Sequence, residues 1–281
     1  MIYHVTYLSN GLKVKGYLSL PNGFELPASV LKNWIGQFYG YPDLPITEIA
    51  TSINREKKDI RSFKLPALIY CRGGIGKFGS VKIHWIQQFA NFGHVIFAPS
   101  YRGNEGGKGR DEFGGDDKED VLAAYRLLQS LPFVNPERIS VMGFSRGAIN
   151  ATLTAVEIPE VHRLILWSGV SDLAQTYEER IDLRRMLKRV IGGSPAKMPG
   201  VYQIRSPLLM AERIQCPVLI MHGTEDRQVD FSHGLHMYNK LKKLGSNVEL
   251  HSYQGYGHLF PPSIHETAVK RMFDWIGNKT N

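Results

Sequence analysis

Cysteine is nearly absent from this chain: Cys71 and Cys216 are the two in 281 residues. With no secretory pattern ahead of them, they read as small buried hydrophobes in a reducing compartment, and no disulfide is expected. No apolar run approaches the roughly 20 residues that a membrane span requires. The opening MIYHVTYLSN has neither a basic n-region nor a long apolar h-region, so the expectation is a soluble, cytoplasmic protein with no membrane partner. Spacings of the HExxH and paired Cys-x-x-Cys kinds are missing as well, so neither a catalytic metal nor another cofactor is indicated. Internal repeats and low-complexity tracts are also lacking. The hydrophobic share of 43% and the charged share of 21% are those of a globular chain, which excludes disorder, collagen and coiled coil.

The charge is unbalanced, with 34 Lys and Arg against 26 Asp and Glu for a net +8, which raises the question of a polyanionic partner. The densest basic stretch, EERIDLRRMLKRV, sets Arg180, Arg184 and Lys188 at i, i+4 spacing on one helix face. No nucleic-acid module signature accompanies it. The stretch reads as a solvated helix face, and no nucleic-acid partner is expected.

Short β-rich segments alternate with helical patterns from about residue 67 onward, the signature of βαβ units and a mostly parallel sheet. A hairpin comes first: IYHVTYL, a turn at Ser9-Asn10-Gly11, then LKVKGYLSL. Strands are expected at ALIYC, HVIFA, ISVMG, RLILW, PVLIMHG and VELHSY, and helices near 80–92, opening at GGDDKEDV, after Ser145, near 230–244 and at the C-terminus. Asp116 with Glu119 three residues on resembles a capping box. Two stretches interrupt the alternation. Residues 24–66, rich in aromatics and prolines, read as an ordered excursion that packs on the domain or contacts a second copy in a homo-oligomer. Residues 170–213, helical and then broken at Gly192-Gly193-Ser194-Pro195, read as a small lid. The whole of 1–281 is expected to form one domain.

ISVMG runs directly into Gly143-Phe144-Ser145-Arg146-Gly147, and a helical pattern follows, so a G-x-S-x-G stands in the strand-turn-helix context of a nucleophile elbow. Glycine is needed at both flanks because the turn is sharp and a Cβ would collide with the adjoining strand or helix. A serine hydroxyl is a poor nucleophile unaided. It needs a base within reach and an acid to hold that base in the right tautomer. In this chain order the acid comes next and the histidine last. Asp226 follows PVLIMHG, with Glu225 and Asp230 as competitors; Asp230 reads as the N-cap of the next helix and Glu225 as a turn residue. His258 follows VELHSY on the loop Gln254-Gly255-Tyr256-Gly257. His222 and His251 fall in strands and read as structural. The oxyanion formed on acyl transfer needs two donors. One is the backbone N–H of Arg146; the other is expected from Cys71-Arg72-Gly73-Gly74-Ile75-Gly76, whose glycines admit close approach.

Together these residues resemble the catalytic domain of the prolyl-oligopeptidase-like serine peptidases, within the α/β-hydrolase superfamily. RGG looks like that family's HGG-type oxyanion loop, SYRGNEGGKGRDEFGGDD like its RGS-x-GYG stretch, and GFSRGA is the elbow. YQIRSPLLMAERIQCPVLIMHGTEDRQV and YNKLKKLGSNVELHSYQGYGHLF are similar to its RSP, HGxxDxxV and GxGHxF blocks. The resemblance covers most of the chain and implies an α/β-hydrolase fold: a mostly parallel twisted sheet with an N-terminal antiparallel hairpin, helices on both faces and a small helical lid. It also implies Asp226 and His258 as the partners of Ser145. The family often carries His or Tyr where Arg72 stands, so the second oxyanion donor is assigned to the Gly73 backbone, with Arg72 as alternative.

The expected activity is that of a serine hydrolase working through an acyl-enzyme, on small peptide or aminoacyl amides. Peptidases of the family carry a size-filtering β-propeller that 281 residues do not accommodate beside this domain. An exposed site would also suit a carboxylesterase or deacetylase; a silent binding protein on the same fold is the remaining alternative. Arg72 and Arg146 flank the nucleophile in this reading and Arg102 follows on the next loop, which suggests an anionic small-molecule or short-peptide substrate bound by Arg102. The competing account is that Asp116, Asp117 or Asp120 pairs with Arg102 or Arg146 and shapes the loop.

Overall fold

A computed structural model describes residues 1–50 and 58–278. The chain divides into two compact units, Met1–Asp111 with Asp116–Ser140, and Glu112–Gly115 with Val141–Asn281.

The first unit begins with the expected hairpin, β1 (Ile2–Ser9) and β2 (Leu12–Ser19), paired antiparallel along their whole length. Asn10 and Gly11 between them take φ of 46° and 76°, the two positive values that a tight I′ turn demands. Residues 24–66 then supply β3 (Phe24–Glu25), α1 (Ala28–Tyr39), β4 (Ile46–Ala50) and β5 (Lys58–Asp59). Leu31 and Ile35 of α1 are buried and Trp34 packs against Phe133 at 5.8 Å between ring centroids, while the part of the excursion at 51–57 lies outside the described residues. β4 was not foreseen. It adds antiparallel to β1 and extends the hairpin into a three-stranded ribbon. β6 (Leu65–Cys71) and β7 (Val95–Pro99) pair in parallel, with α2 (Ile83–Ala90) between them in sequence, and β7 pairs antiparallel with β2. β7 is buried at every position, as a strand covered on both faces must be.

α3 (Lys118–Ser130) follows, and here the capping-box expectation fails. The N-cap is Asp117, without a side-chain capping bond, and Glu119 N–H donates to the Asp116 carbonyl, not to its carboxylate. The Asp116 carboxylate lies 3.7 Å from Arg102 instead, so the acid at that position serves a different partner.

β8 (Val134–Phe144) starts in the first unit and ends in the second. The second unit continues with α4 (Gly147–Glu157) and β9 (Leu164–Trp167). Segment 170–213 holds α5 (Leu173–Glu179), α6 (Arg184–Ile191), α7 (Pro199–Gln203) and a closing 3-10 turn, Pro207–Arg213. β10 (Val218–Gly223), α8 (Phe231–Lys243), β11 (Val248–Tyr253) and α9 (Pro262–Gly277) complete it. β8, β9, β10 and β11 are parallel neighbours in that order. The single basic helix face is corrected: Arg180 ends α5, and a 3-10 turn separates it from α6, which starts at Arg184. Arg180 pairs with Asp182 at 2.7 Å and Arg184 with Glu178 at 2.6 Å, so part of the basic charge is matched locally.

Candidate active site

Ser145 sits where β8 gives way to α4, and its backbone is strained, with φ of 56° in a region that side-chain-bearing residues seldom occupy. Tertiary bonds hold it there. Its N–H donates to the Trp167 carbonyl at 3.0 Å, and its own carbonyl accepts from Ala148 and Val170, each at 3.1 Å. The glycine ahead of it is obligatory: a Cβ at Gly143 would lie 2.5 Å from Ala148 N, Ala148 Cα and the Gly147 carbonyl, all of them backbone. Ser145 is half-buried amid fully buried neighbours, so the turn presents this one side chain. Arg146 follows at the N-terminal end of α4, its N–H ahead of the first intrahelical bonds and its guanidinium 4.9 Å from the Phe113 ring.

Asp226 follows β10 and is 4% exposed. Its Oδ1 accepts the backbone N–H groups of Gln228 at 2.8 Å and Val229 at 3.0 Å, a turn that fixes the rotamer. Its Oδ2 stands 2.7 Å from His258 Nδ1. The two loops are laced together: Thr224 N–H donates to Tyr253 and Glu225 N–H to Tyr256, both at 3.0 Å. Gly223 makes this possible, because a Cβ there would come within 2.2 Å of the Tyr256 carbonyl. The competing acids are elsewhere. Glu225 is exposed, and Asp230 caps α8 by accepting from Ser232 N–H at 2.8 Å.

The His258 ring packs on Phe144, the residue before Ser145, with centroids 4.9 Å apart. Burial would raise the Asp226 carboxyl, but hydrogen bonds from His222 and His258 outweigh it and hold the group below the usual carboxylate range. The acid is therefore ionised against an imidazole that it can orient. His222 Nε2 lies 3.4 Å from Asp226 Oδ2, a contact that the strand position of His222 did not disclose. The i, i+4 spacing inside HGTED was the available signal.

The arginines of the first unit have other work. Arg72 is 1% exposed; its guanidinium donates to the carbonyls of Ser100, Gly73 and Gly74 and stands 3.3 Å from Asp111 Oδ2. That side chain braces the glycine loop, so its use as an oxyanion donor is set aside. Gly74 takes φ of 66°, and a Cβ on it would meet the Phe78 carbonyl at 2.2 Å. Arg102 is corrected more plainly. It is 5% exposed, with Nη2 2.9 Å and Nε 3.1 Å from Asp120 Oδ1, and a further bond to Ser9 Oγ at 3.2 Å. Nε and Nη2 of this buried guanidinium are thus engaged within the protein, by the pairing of Arg102 with Asp120 that the loop-shaping account describes.

Among the described residues, no group of three or more His, Cys, Asp or Glu side chains could hold a metal ion, and no helix is long and apolar enough to cross a membrane.

Comparison with known proteins gives the family and the fold. Residues 80–281 match the Prolyl oligopeptidase family. The uncharacterized peptidase YtmA of Bacillus subtilis strain 168 is 41% identical over 99% of this chain and 94% of its own length. Dipeptidyl-peptidase 5 of Porphyromonas endodontalis is 25% identical over 76% of the chain, which spans 33% of that relative. Among solved structures, a Mycobacterium tuberculosis puromycin-hydrolyzing peptidase is 20% identical and superposes over 98% of the chain and 39% of its own, with a TM-score of 0.76. An acylaminoacyl peptidase in complex with a chloromethyl ketone gives 0.73 at 20% identity, over 98% of this chain and 41% of that one. The fold is thus that of the α/β-hydrolase peptidases, and the chain belongs to the prolyl oligopeptidase family of serine peptidases.

Proposed function

We propose that the chain cleaves amide bonds of short peptides or aminoacyl compounds through an acyl-enzyme on Ser145. The carrying observation is the buried 2.7 Å contact between His258 Nδ1 and Asp226 Oδ2, on an imidazole packed against the residue that precedes Ser145. In this reading Asp226 accepts Nδ1–H and leaves the Nε2 lone pair to take the Ser145 proton as Oγ attacks the carbonyl carbon. The protonated imidazole returns that proton to the leaving amine, and water repeats the cycle on the ester. The backbone N–H of Arg146 is a donor to the oxyanion in this reading, and such a donor is worth on the order of 3 kcal/mol in the transition state. Residues 1–281 act as one catalytic domain, with 170–213 as its lid. A cytoplasmic setting belongs to the same proposal and is in keeping with cysteines that are both buried, Cys71 and Cys216.

The test is kcat/KM for an amide and an ester of one small acyl group, with Ser145→Ala as background. Amide hydrolysis that disappears in Ser145→Ala is the expected result. Ester cleavage alone would make the protein an esterase, and no Ser145-dependent turnover of either in folded protein would refute the proposal.

A further inference from the structure

A second imidazole touches the acid of the site. His222, in β10, is fully buried, with Nε2 2.9 Å from the Val229 carbonyl and 3.4 Å from Asp226 Oδ2, the oxygen that also faces His258 Nδ1. A carbonyl oxygen only accepts, so the 2.9 Å contact requires a proton on His222 Nε2. The other nitrogen then carries a lone pair. His222 Nδ1 is buried with no hydrogen-bond partner, and it faces Gly234 of α8, where an added Cβ would lie 2.7 Å from it. The Phe231 ring packs perpendicular to it, with centroids 5.7 Å apart. The ring therefore presents its donor at Nε2, and Nδ1 is left without a partner.

We propose that His222 is a positioning residue of this site: its Nε2–H bridges the Val229 carbonyl and Asp226 Oδ2, holding the acid in register with His258 and drawing electron density from the oxygen that His258 uses. This rests on the proposed roles of Asp226 and His258. The bridge closes the Asp226–Val229 turn from the strand side, while Asp226 Oδ1 closes it through the Val229 N–H at 3.0 Å. Without it the carboxylate keeps its full charge for His258, stabilises the imidazolium more, and shifts the proton uptake of that ring to higher pH. Other charged and titratable groups surround the bridge. Asp230 and His233 approach from α8, each within the electrostatic reach of His222, and Glu179 and Asp172 act on His233. Arg180 senses Asp226 and donates to the Gln228 carbonyl at 2.8 Å. All of them stay in place when His222 alone is replaced.

The test compares the wild-type full chain with His222→Leu, which removes the donor, His222→Gln, whose amide nitrogen reaches the Nε2 position, and His222→Asn, whose amide reaches only the unpartnered Nδ1 side. The readouts are the titration of the His258 ring, followed by NMR on 15N-histidine protein, and the pH profile of kcat/KM on the amide substrate. In Leu and Asn the His258 titration and the acid limb should rise by roughly half a unit to one unit. There kcat should fall roughly tenfold to a hundredfold with KM little changed, as for a misplaced catalytic group. Gln should restore both. A His258 titration unmoved in whichever of Leu or Asn folds overturns the proposal, as does a Gln variant that behaves like Leu. The NMR arm needs no substrate. A shift there without Ser145-dependent hydrolysis would sink the proposed activity and leave the bridge standing.

Discussion

Replacing Asp226 by Asn should leave the fold and remove nearly all activity, because the surrounding donors dictate which way the new amide turns. Oδ1 accepts the N–H groups of Gln228 and Val229 at 2.8 and 3.0 Å, so the Asn oxygen must stay there. The NH2 group then occupies the Oδ2 position, 2.7 Å from His258 Nδ1 and 3.4 Å from His222 Nε2. An amide N–H needs an acceptor, so His258 is driven to present a lone pair at Nδ1 and to carry its proton on Nε2, the atom that should receive the Ser145 proton. Loss of the working tautomer lowers kcat by about 10⁴, or about 5 kcal/mol in the barrier. The assay is steady-state release of a chromogenic amine from a small aminoacyl amide, with Ser145→Ala as floor and Glu225→Gln, on the exposed neighbour, as control. Thermal melts establish that each variant is folded. A folded Asp226→Asn protein keeping more than about a tenth of the wild-type kcat would refute the tautomer argument and the assignment of Asp226 with it.

Truncating Asp120 to Ala strands the buried Arg102 guanidinium and should cost about 3–5 kcal/mol, seen by calorimetry as a fall in Tm of roughly 6–20 °C. The pair Arg102→Met with Asp120→Leu should recover most of that loss and leave any preference between a carboxylate substrate and its neutral amide unchanged; a lost preference would return Arg102 to substrate binding. The third expectation concerns pH. His233 Nδ1 accepts from Ser171 N–H at 3.2 Å and Asp172 N–H at 3.3 Å, and its Nε2 stands 3.2 Å from Glu179. Burial lowers its pKa from 6.5 against the pull of Glu179. The unfolded chain therefore takes up this proton first as pH falls. The stability tied to His233 is complete above about pH 6.5, declines below it toward the folded-state value, and then levels off. Urea melts across this range should show that slope in the wild type and a weaker one in His233→Leu; identical slopes would refute it.

Local chemistry made much of the protein legible before any coordinates. The βα alternation, the hairpin turn at Ser9-Asn10-Gly11, the cap at Asp230 and the elbow around Ser145 depend on periodicity, on turn residues and on the steric demand at Gly143, all properties of residues and their near neighbours. The preference for Asp226 over Glu225 came from resemblance to the HGxxDxxV block, and in the structure it is Asp226 that stands 2.7 Å from His258. Tertiary structure decided what depends on partners distant in sequence. Arg102 was equally suited to an anionic substrate and to an internal acid until Asp120 and Ser9 enclosed it. The guanidinium of Arg72 was a possible donor to substrate until three backbone carbonyls engaged it. β4 lacked a strand's alternation strong enough to show, and pairing with β1 made it one. His222 reads as a buried strand residue, and only the return of the loop after β10 brings the Asp226 carboxylate onto its Nε2. A sequence records which groups are present and how the backbone turns near them; which donor meets which acceptor across a hundred residues is settled by packing.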